Sequence, residues 1–288
     1  MIFGLIKKSY ETVMENPSIT LYFVLYLIVL NFLIAWVITS NNINASITLI
    51  VASMLLSMAF SSGWFQVFFE SVDKDKIKEK NYFSIFLEGM GKNIIPVAIA
   101  SIIFAFLIIG VIILSSVILN LLYKDFDSVL REIIIIVSGA PAGDFMKSLS
   151  ENQKYMLYIW QMVINLLSAI CIFIFMYYFP SIIKSNCENM FLKPFYELRK
   201  SVCFLFENFF PSLLIFFIIY MVHIIFNVLK IYLIHNSILS ILLLFVWIYF
   251  ISISIMLIFN YYEQKNICNN GPDCIEQNTN GNSSSEEN

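Results

Sequence analysis

Charged residues are scarce in this chain and are missing altogether from five long stretches. Asp, Glu, Lys and Arg make up 13% of its 288 residues, against roughly 25% in an ordinary soluble domain. None of them occurs at positions 16–69, 93–123, 155–183, 208–229 or 231–262. Hydrophobic residues, by contrast, reach 59%. The composition therefore excludes a large soluble domain and favours an all-α, polytopic bundle of transmembrane helices.

The apolar stretches also lack the residue patterns of most catalytic and metal sites. They contain no carboxylate, so they offer no acid pair and none of the acidic groups that ion-driven transporters use within the membrane. No pair of histidines has metal-binding spacing, and no glycine-rich phosphate loop occurs. The five cysteines do not form a pattern typical of a disulfide framework. We therefore expect no enzyme activity, no cofactor, no metal and no nucleic-acid partner.

Six membrane-spanning helices are predicted from the apolar stretches. A helix needs ~20 residues to cross a hydrocarbon core of about 30 Å. The first stretch holds two spans because turn-forming asparagines interrupt it at 41–44. The predicted spans are residues 19–38, 47–69, 94–122, 155–183, 209–229 and 238–259.

The distribution of basic residues predicts how these spans are oriented. Of the 17 Lys and Arg residues, 12 fall on the side that carries both termini and 5 on the other side. Loops rich in Lys and Arg stay in the cytoplasm. We therefore predict a multi-pass protein of the cell membrane (the inner or plasma membrane) with cytoplasmic N- and C-termini.

An internal repeat is the clearest motif in the sequence. The residues before the fifth span match those before the first, and a weaker copy precedes the third. Self-similarity of this kind indicates a repeat architecture. We predict units at about 1–73, 80–186 and 193–265, followed by a disordered polar tail at 266–288. The matching positions are Phe3, Ile6, Lys7, Lys8, Ser9, Val13, Glu15 and Asn16; Phe195, Leu198, Arg199, Lys200, Ser201, Leu205, Glu207 and Asn208; and Phe83, Leu87, Met90, Lys92 and Asn93.

Each unit is predicted to begin with an amphipathic helix in the membrane interface. Apolar residues recur there at steps of three and four beside the interfacial basic residues Lys7, Lys8, Arg199 and Lys200. The asparagine would cap the span that follows, and the proline after it would fit the first turn. Units with two spans each run parallel, so three hairpins would surround a pseudo-threefold axis. A basic helix before any membrane hairpin could produce a similar pattern without true triplication.

This element resembles a large set of uncharacterised prokaryotic six-span membrane proteins. These are similar to the membrane domain that accompanies some glycerophosphodiester phosphodiesterases. The resemblance covers residues 1 to about 265 and implies interfacial helices with hairpin repeats. The sequence contains no stretch like the soluble phosphodiesterase domain, so the resemblance implies no such activity here.

Polar residues inside two spans form a candidate pocket. Tyr220, His223 and Asn227 are spaced by three and four on the fifth span, and Gln161 and Asn165 by four on the fourth. Counting from the span ends places both groups in the outer half of the bilayer. A pocket that opens outward is one interpretation. The other is that these groups only hold helices together by hydrogen bonds.

Two functional hypotheses follow. In the first, the protein organises membrane lipids or partner membrane proteins through its basic interfacial helices. In the second, it is a passive or partner-driven transport component that uses the polar pocket. The external segment at 123–154 would be a cap over the outer mouth of the bundle, or else a gate or a partner-binding surface.

Overall fold

The computed structural model describes residues 2–39, 43–72, 81–123, 126, 149–233 and 236–270. Within these ranges the regular elements are all helices. They are α1 (Ile2–Glu15), α2 (Pro17–Thr39), α3 (Ile43–Ser71), α4 (Tyr82–Leu122), α5 (Glu151–Ile174), α6 (Tyr178–Lys184), α7 (Lys193–Glu207), α8 (Phe209–Leu233) and α9 (Ser237–Asn270).

Six helical segments of the described chain are long and apolar enough to cross a membrane, which confirms the number predicted from the sequence. Their cores coincide with the predicted spans because hydropathy alone marks them. The third is longer than expected, with 41 residues, and the fourth contains a turn at 175–177 between α5 and α6. The segments are Pro17–Val37, Ile47–Ser71, Tyr82–Leu122, Glu151–Lys184, Phe209–Lys230 and Ile238–Asn266.

The chain divides into two compact units, which we describe separately. Unit 1 comprises Met1–Ala100 and Met176–Asn288, and unit 2 comprises Ser101–Phe175. In unit 1, α2 packs along α3, α8 along α9, α1 against α9, and α7 against α6. Aromatic rings join α2 to α3, with Phe23 stacked on Trp64 at 4.6 Å and Tyr26 on Phe60 at 4.2 Å between centroids.

Unit 2 is built on the end of α4 and the start of α5. Leu119 and Phe126 are buried there, and the ring of Phe126 meets that of Trp160 at 6.0 Å. The start of α5 has a capping box. In it, the Ser150 hydroxyl accepts from the backbone amide of Gln153, and the Gln153 side-chain oxygen accepts from the backbone amide of Ser150. This small apolar core fixes the ends of the two helices relative to each other.

The asparagines that follow α1 and α7 do not act as the sequence predicts. We expected Asn16 and Asn208 to cap the spans that follow them. Instead, the Asn16 side-chain amide donates to the Thr12 carbonyl at 2.7 Å, and the Asn208 amide donates to the Phe204 carbonyl at 3.0 Å. Both side chains therefore bond to carbonyls in the last turns of α1 and α7, and the Phe204 carbonyl also accepts the backbone amide of Asn208.

The middle copy of the element also differs from the prediction. A helix break was expected at Asn93, but α4 continues through both Asn93 and Pro96. The Asn93 amide donates to the Gln66 side chain of α3 at 3.0 Å and so does not bind its own helix. Because the Asn93 side chain bonds to another helix, it does not compete with the backbone hydrogen bonds of α4, and the helix continues.

Two further predictions concern the ends of segments. Helix α9 continues to Asn270, so residues 266–270, which the sequence assigned to the polar tail, are helical. The rest of that tail and most of the external segment at 123–154 lie outside the described residues. The triplicate hairpin arrangement stays a prediction.

Candidate functional site

Helix α1 has one face buried in unit 1 and an opposite face that is basic and exposed. The buried face consists of Leu5, Ser9, Thr12 and Val13. Lys7 and Lys8 lie outside it, and the Lys7 side chain is 77% exposed, at 3.8 Å from Glu11. An exposed pair of this kind contributes little to stability. These lysines are therefore available to other molecules.

Helix α7 repeats this arrangement. Its buried face includes Glu197, Ser201, Phe204 and Leu205, which occupy the register positions of the four buried residues of α1. Arg199 and Lys200 are exposed, as are Lys7 and Lys8. The structure therefore places all four predicted interfacial basic residues on the surface of two helices that are anchored along their other side.

Large apolar side chains share these exposed faces. Phe3 of α1 is 84% exposed, and Phe195 and Phe206 of α7 are 56% and 68% exposed. The start of α4 is similar, with exposed Phe83 and Lys92. Exposed apolar residues beside basic ones are typical of a helix in the interface between headgroups and acyl chains.

The buried sides of these helices form a packed region that we call the terminal layer. It comprises α1, residues 60–71 of α3, residues 82–97 of α4, residues 177–184 (Tyr177 and α6), α7 and residues 256–266 of α9. Polar contacts join α6 to α7 within it. The Ser181 hydroxyl donates to a Glu197 carboxylate oxygen, and the Tyr178 hydroxyl donates to the Pro194 carbonyl at 3.0 Å.

One further polar contact connects the terminal layer to α8, and two more lie within the layer, between α9 and other helices. The Tyr177 hydroxyl donates to Ser212 at 2.9 Å. Lys184 and Glu263 form an ion pair at 2.7 Å, and the Asn260 amide donates to the Ser9 hydroxyl, also at 2.9 Å. The last of these joins the two ends of the chain, since Ser9 and Asn260 are 251 residues apart.

Sequence reasoning did not identify this network. One signal was available: Glu197 occupies the position of Leu5, which is apolar in the first copy of the element. A carboxylate at a position that is apolar in another copy indicates a buried polar partner, because buried charges are paired or hydrogen-bonded. That partner, Ser181, is not adjacent in sequence and could be found only in the fold.

The predicted pocket residues on α8 lie on one helix face but form no network there. Tyr220 stacks on Phe216 at 5.7 Å between centroids. His223 is half-buried and Asn227 is exposed. Neither His223 nor Asn227 has a hydrogen bond to any residue that the structure describes.

The other pocket residues bind each other. The Gln161 amide donates to the Asn165 carbonyl oxygen at 3.0 Å along α5, and both side chains are exposed within unit 2. Because α8 belongs to unit 1 and α5 to unit 2, the pocket that would combine them stays a prediction.

A groove of about 630 Å³ lies between α2 and α9 in unit 1. Its walls are apolar except for Asn31, whose amide donates to the Leu27 carbonyl at 2.7 Å. With the Asn31 amide already bonded within α2, the groove presents an almost entirely apolar surface. Across the described ranges, no group of three His, Cys, Asp or Glu residues could hold a metal ion.

No family model, no curated protein and no solved structure matches this chain.

Proposed function

We propose that this protein is a non-enzymatic, multi-pass cell-membrane protein that organises anionic lipids around its exposed interfacial helices. The observation that carries the proposal is the two-sided character of α1 and α7. One side of each is buried on the ends of spanning helices, while the other presents basic and large apolar residues. Partner membrane proteins that carry acidic interfacial segments would bind the same faces.

Anchoring is what distinguishes these helices from free amphipathic segments. Bonds such as Asn260 to Ser9 and Glu197 to Ser181 fix the rotation of α1 and α7 about their own axes. Lys7, Lys8, Arg199 and Lys200 are thereby held outward in a constant arrangement. Each basic residue near an anionic lipid surface contributes about 1 kcal/mol to attraction, so four of them would enrich anionic lipid locally.

The orientation is part of the proposal. Contact between α1 and the end of α9 places both terminal helices at one end of unit 1, and the richer set of basic residues lies on that side in the predicted topology. By the positive-inside rule this end faces the cytoplasm, where anionic lipids are concentrated.

We also propose that the three sequence units, at about 1–73, 80–186 and 193–265, are true repeats. The matching buried positions in α1 and α7 support this, as does the seating of each interfacial segment. Helix α1 lies on the end of α9, the start of α4 lies on α3 through Gly63 and Gly89, and α7 lies on α6. In this arrangement the interfacial segments of the second and third repeats would each rest on the second span of the repeat before them. The interfacial segment of the first repeat would rest on the second span of the third repeat.

The test is a charge reversal in the full-length protein, reconstituted in nanodiscs that contain a minority of phosphatidylglycerol in phosphatidylcholine. We expect the variant with Lys7, Lys8, Arg199 and Lys200 all changed to Glu to lose its phosphatidylglycerol enrichment, as measured by native mass spectrometry. A control with Lys7→Arg, Lys8→Arg and Arg199→Lys keeps every charge and should retain it. Unchanged enrichment in the reversed variant would refute the lipid-organiser proposal.

Topology must be verified in the same variants. Reversal lowers the count of basic residues on the cytoplasmic side from 12 to 8, against 5 on the other side, so the inside bias weakens. Cys203 is exposed on α7 and provides a native label for this purpose. It should react with a membrane-impermeant maleimide only after the cells are opened.

One observation favours the transport alternative. Gln161 and Asn165 expose amide groups on a segment long enough to span the membrane. Amides facing lipid are costly, so these side chains would need water or another polar surface. Under this alternative, substitution of Gln161 or Asn165 by Leu would abolish the cellular phenotype without affecting lipid enrichment.

A further inference from the structure

Helix α5 exposes two amide side chains on a segment long enough to cross the membrane. Gln161 and Asn165 are both exposed, and the bond between them, at 3.0 Å, is the only side-chain hydrogen bond that either makes with a described residue. That bond uses one N–H of Gln161 and the side-chain oxygen of Asn165. The Gln161 side-chain oxygen and both N–H groups of Asn165 therefore still need partners, which hydrocarbon cannot supply.

The residues around these amides have the spacing of a helix-pairing surface. Tyr155, Tyr158, Met162 and Asn165, which we call the α5 seam, follow one another at steps of three, four and three. All four are exposed, Tyr158 at 60% and Met162 at 72%. The next position in the series, Ala169, is buried, so the exposed seam ends there. Alternating steps of three and four are the spacing at which parallel helices interlock, and a single asparagine within such a seam fixes the register of the pair.

A second copy of the chain satisfies the amides without any further requirement. Two copies of one protein insert into a membrane with the same orientation, so a twofold axis along the membrane normal brings their α5 helices together in parallel. Gln161 and Asn165 of the two copies then lie at the same depth. An N–H of each Asn165 can donate to the Gln161 side-chain oxygen of the other copy, which gives two symmetric hydrogen bonds between the helices. The amide pair is therefore complementary to itself.

We propose that the α5 seam, with Gln161 beside it, is a homodimer interface within the membrane. The occupant of this helix face is the same face of a second copy. The inference goes beyond the proposed function, because it uses none of the basic residues on α1 and α7. It also gives the exposed amides of α5 a role that is independent of transport.

The first test is cysteine cross-linking of the full-length protein in membranes. The five native cysteines are changed to Ser, and single cysteines are then introduced on α5. Met162→Cys places a thiol on the seam, whereas Ile164→Cys places one about 200° around the same helix. On mild oxidation we expect Met162→Cys to form a disulfide-linked species of twice the chain mass, and Ile164→Cys to remain at the monomer mass.

The second test measures how strongly the amides hold the dimer. Fluorescently labelled full-length protein is reconstituted in phosphatidylcholine vesicles at a series of dilutions in lipid, and the dimer fraction is counted by single-molecule photobleaching. The double variant Gln161→Leu with Asn165→Leu should dissociate about tenfold or more readily, because both symmetric hydrogen bonds are lost. It should still insert and fold, since leucine suits a lipid-facing position. Asn227→Leu, which removes an exposed amide from α8, is the matched control and should dissociate as the wild type does.

Three results would overturn the proposal. The first is a wild type that is monomeric at every dilution, or a double leucine variant that dimerises equally well. The second is cross-linking that does not distinguish Met162→Cys from Ile164→Cys. The third is a chain carrying both Met162→Cys and Asn227→Cys that joins these positions within one molecule, because α5 would then pack against its own α8.

The dimer and the proposed function can fail separately. The double leucine variant keeps Lys7, Lys8, Arg199 and Lys200, so it should retain its phosphatidylglycerol enrichment as a monomer. The charge-reversed variant keeps Gln161 and Asn165, so it should still dimerise.

Discussion

The terminal layer and the spanning parts of the same helices differ sharply in how they are packed. In the layer, Val13, Phe68, Tyr177 and Tyr261 are fully buried. In the spans, large side chains such as Phe32 and Trp36 are exposed, at 77% and 61%. The same helices therefore contribute to a tightly packed core in the terminal layer and expose large apolar side chains along their spans.

This difference in packing indicates which part of the molecule fixes specific contacts between helices. Between helices in lipid there is little hydrophobic driving force, so spans associate through packing and occasional hydrogen bonds such as Tyr26 to Ser57 at 2.8 Å. In the layer, buried aromatic rings and a hydrogen-bond network fix unique partners. We therefore expect substitutions in the layer to cost far more stability than equivalent ones in the spans.

The largest effect is expected at Gly89 in the layer. A methyl group there would lie 2.4 Å from the Gln66 Cβ atom and 3.0 Å from the Ser62 carbonyl oxygen. Gly89→Ala should therefore cost about 1–3 kcal/mol through overpacking, seen as a lower thermal midpoint in detergent. Gly91, two residues along the same helix, has nothing within 4 Å of such a methyl group. Gly91→Ala should stabilise by about 0.5–1 kcal/mol.

Equal responses at Gly89 and Gly91 would show that the contact between α4 and α3 does not constrain the layer. That result would also remove the main support for the proposal that the start of α4 rests on α3. Gly110, which lies in the spanning part of α4 and also has open space around it, provides a further control outside the layer.

A smaller effect is expected on removing one hydroxyl. Tyr177→Phe deletes the bond to Ser212 and leaves a buried serine hydroxyl without that partner. The expected cost is about 1–2 kcal/mol, again measured as thermal stability. Tyr220→Phe removes a hydroxyl that has no hydrogen-bond partner among the described residues, from a ring that stacks on Phe216, and should be nearly neutral. A larger loss at Tyr220 would instead indicate that the predicted pocket exists.

The smallest effect on stability is expected at His223. It is half-buried and has no hydrogen bond within the described residues, so His223→Leu should change stability by only about 0.5 kcal/mol. If His223 belongs to a transport site, His223→Asn should abolish function while the protein folds normally, because proton exchange by imidazole is lost. Thermal midpoint and cellular phenotype must therefore be measured separately. A fully active His223→Leu variant would remove the best residue-level evidence for transport.

Much of the fold was predictable, and the candidate site was predictable only in part. The helices containing Lys7 and Arg199 were predicted from apolar residues that recur at steps of three and four, because this period marks one face of a helix. Glu197 was not identified. Its role depends on Ser181, which comes from another helix, and a single sequence gives no measure of such a distance.

The six apolar spans follow from the sequence alone, because the thickness of the hydrocarbon core requires a fixed length of apolar helix whatever surrounds it. Where those helices break depends on contacts between helices. Asn93 and Asn208 both stand three residues before a proline, yet the chain breaks at Asn208 and continues as helix through Asn93. The Asn208 amide binds the carbonyl of Phe204 in the preceding turn, whereas the Asn93 amide is held by Gln66 of another helix. Identical local spacing gives two structures because the competing hydrogen-bond partner comes from elsewhere in the fold.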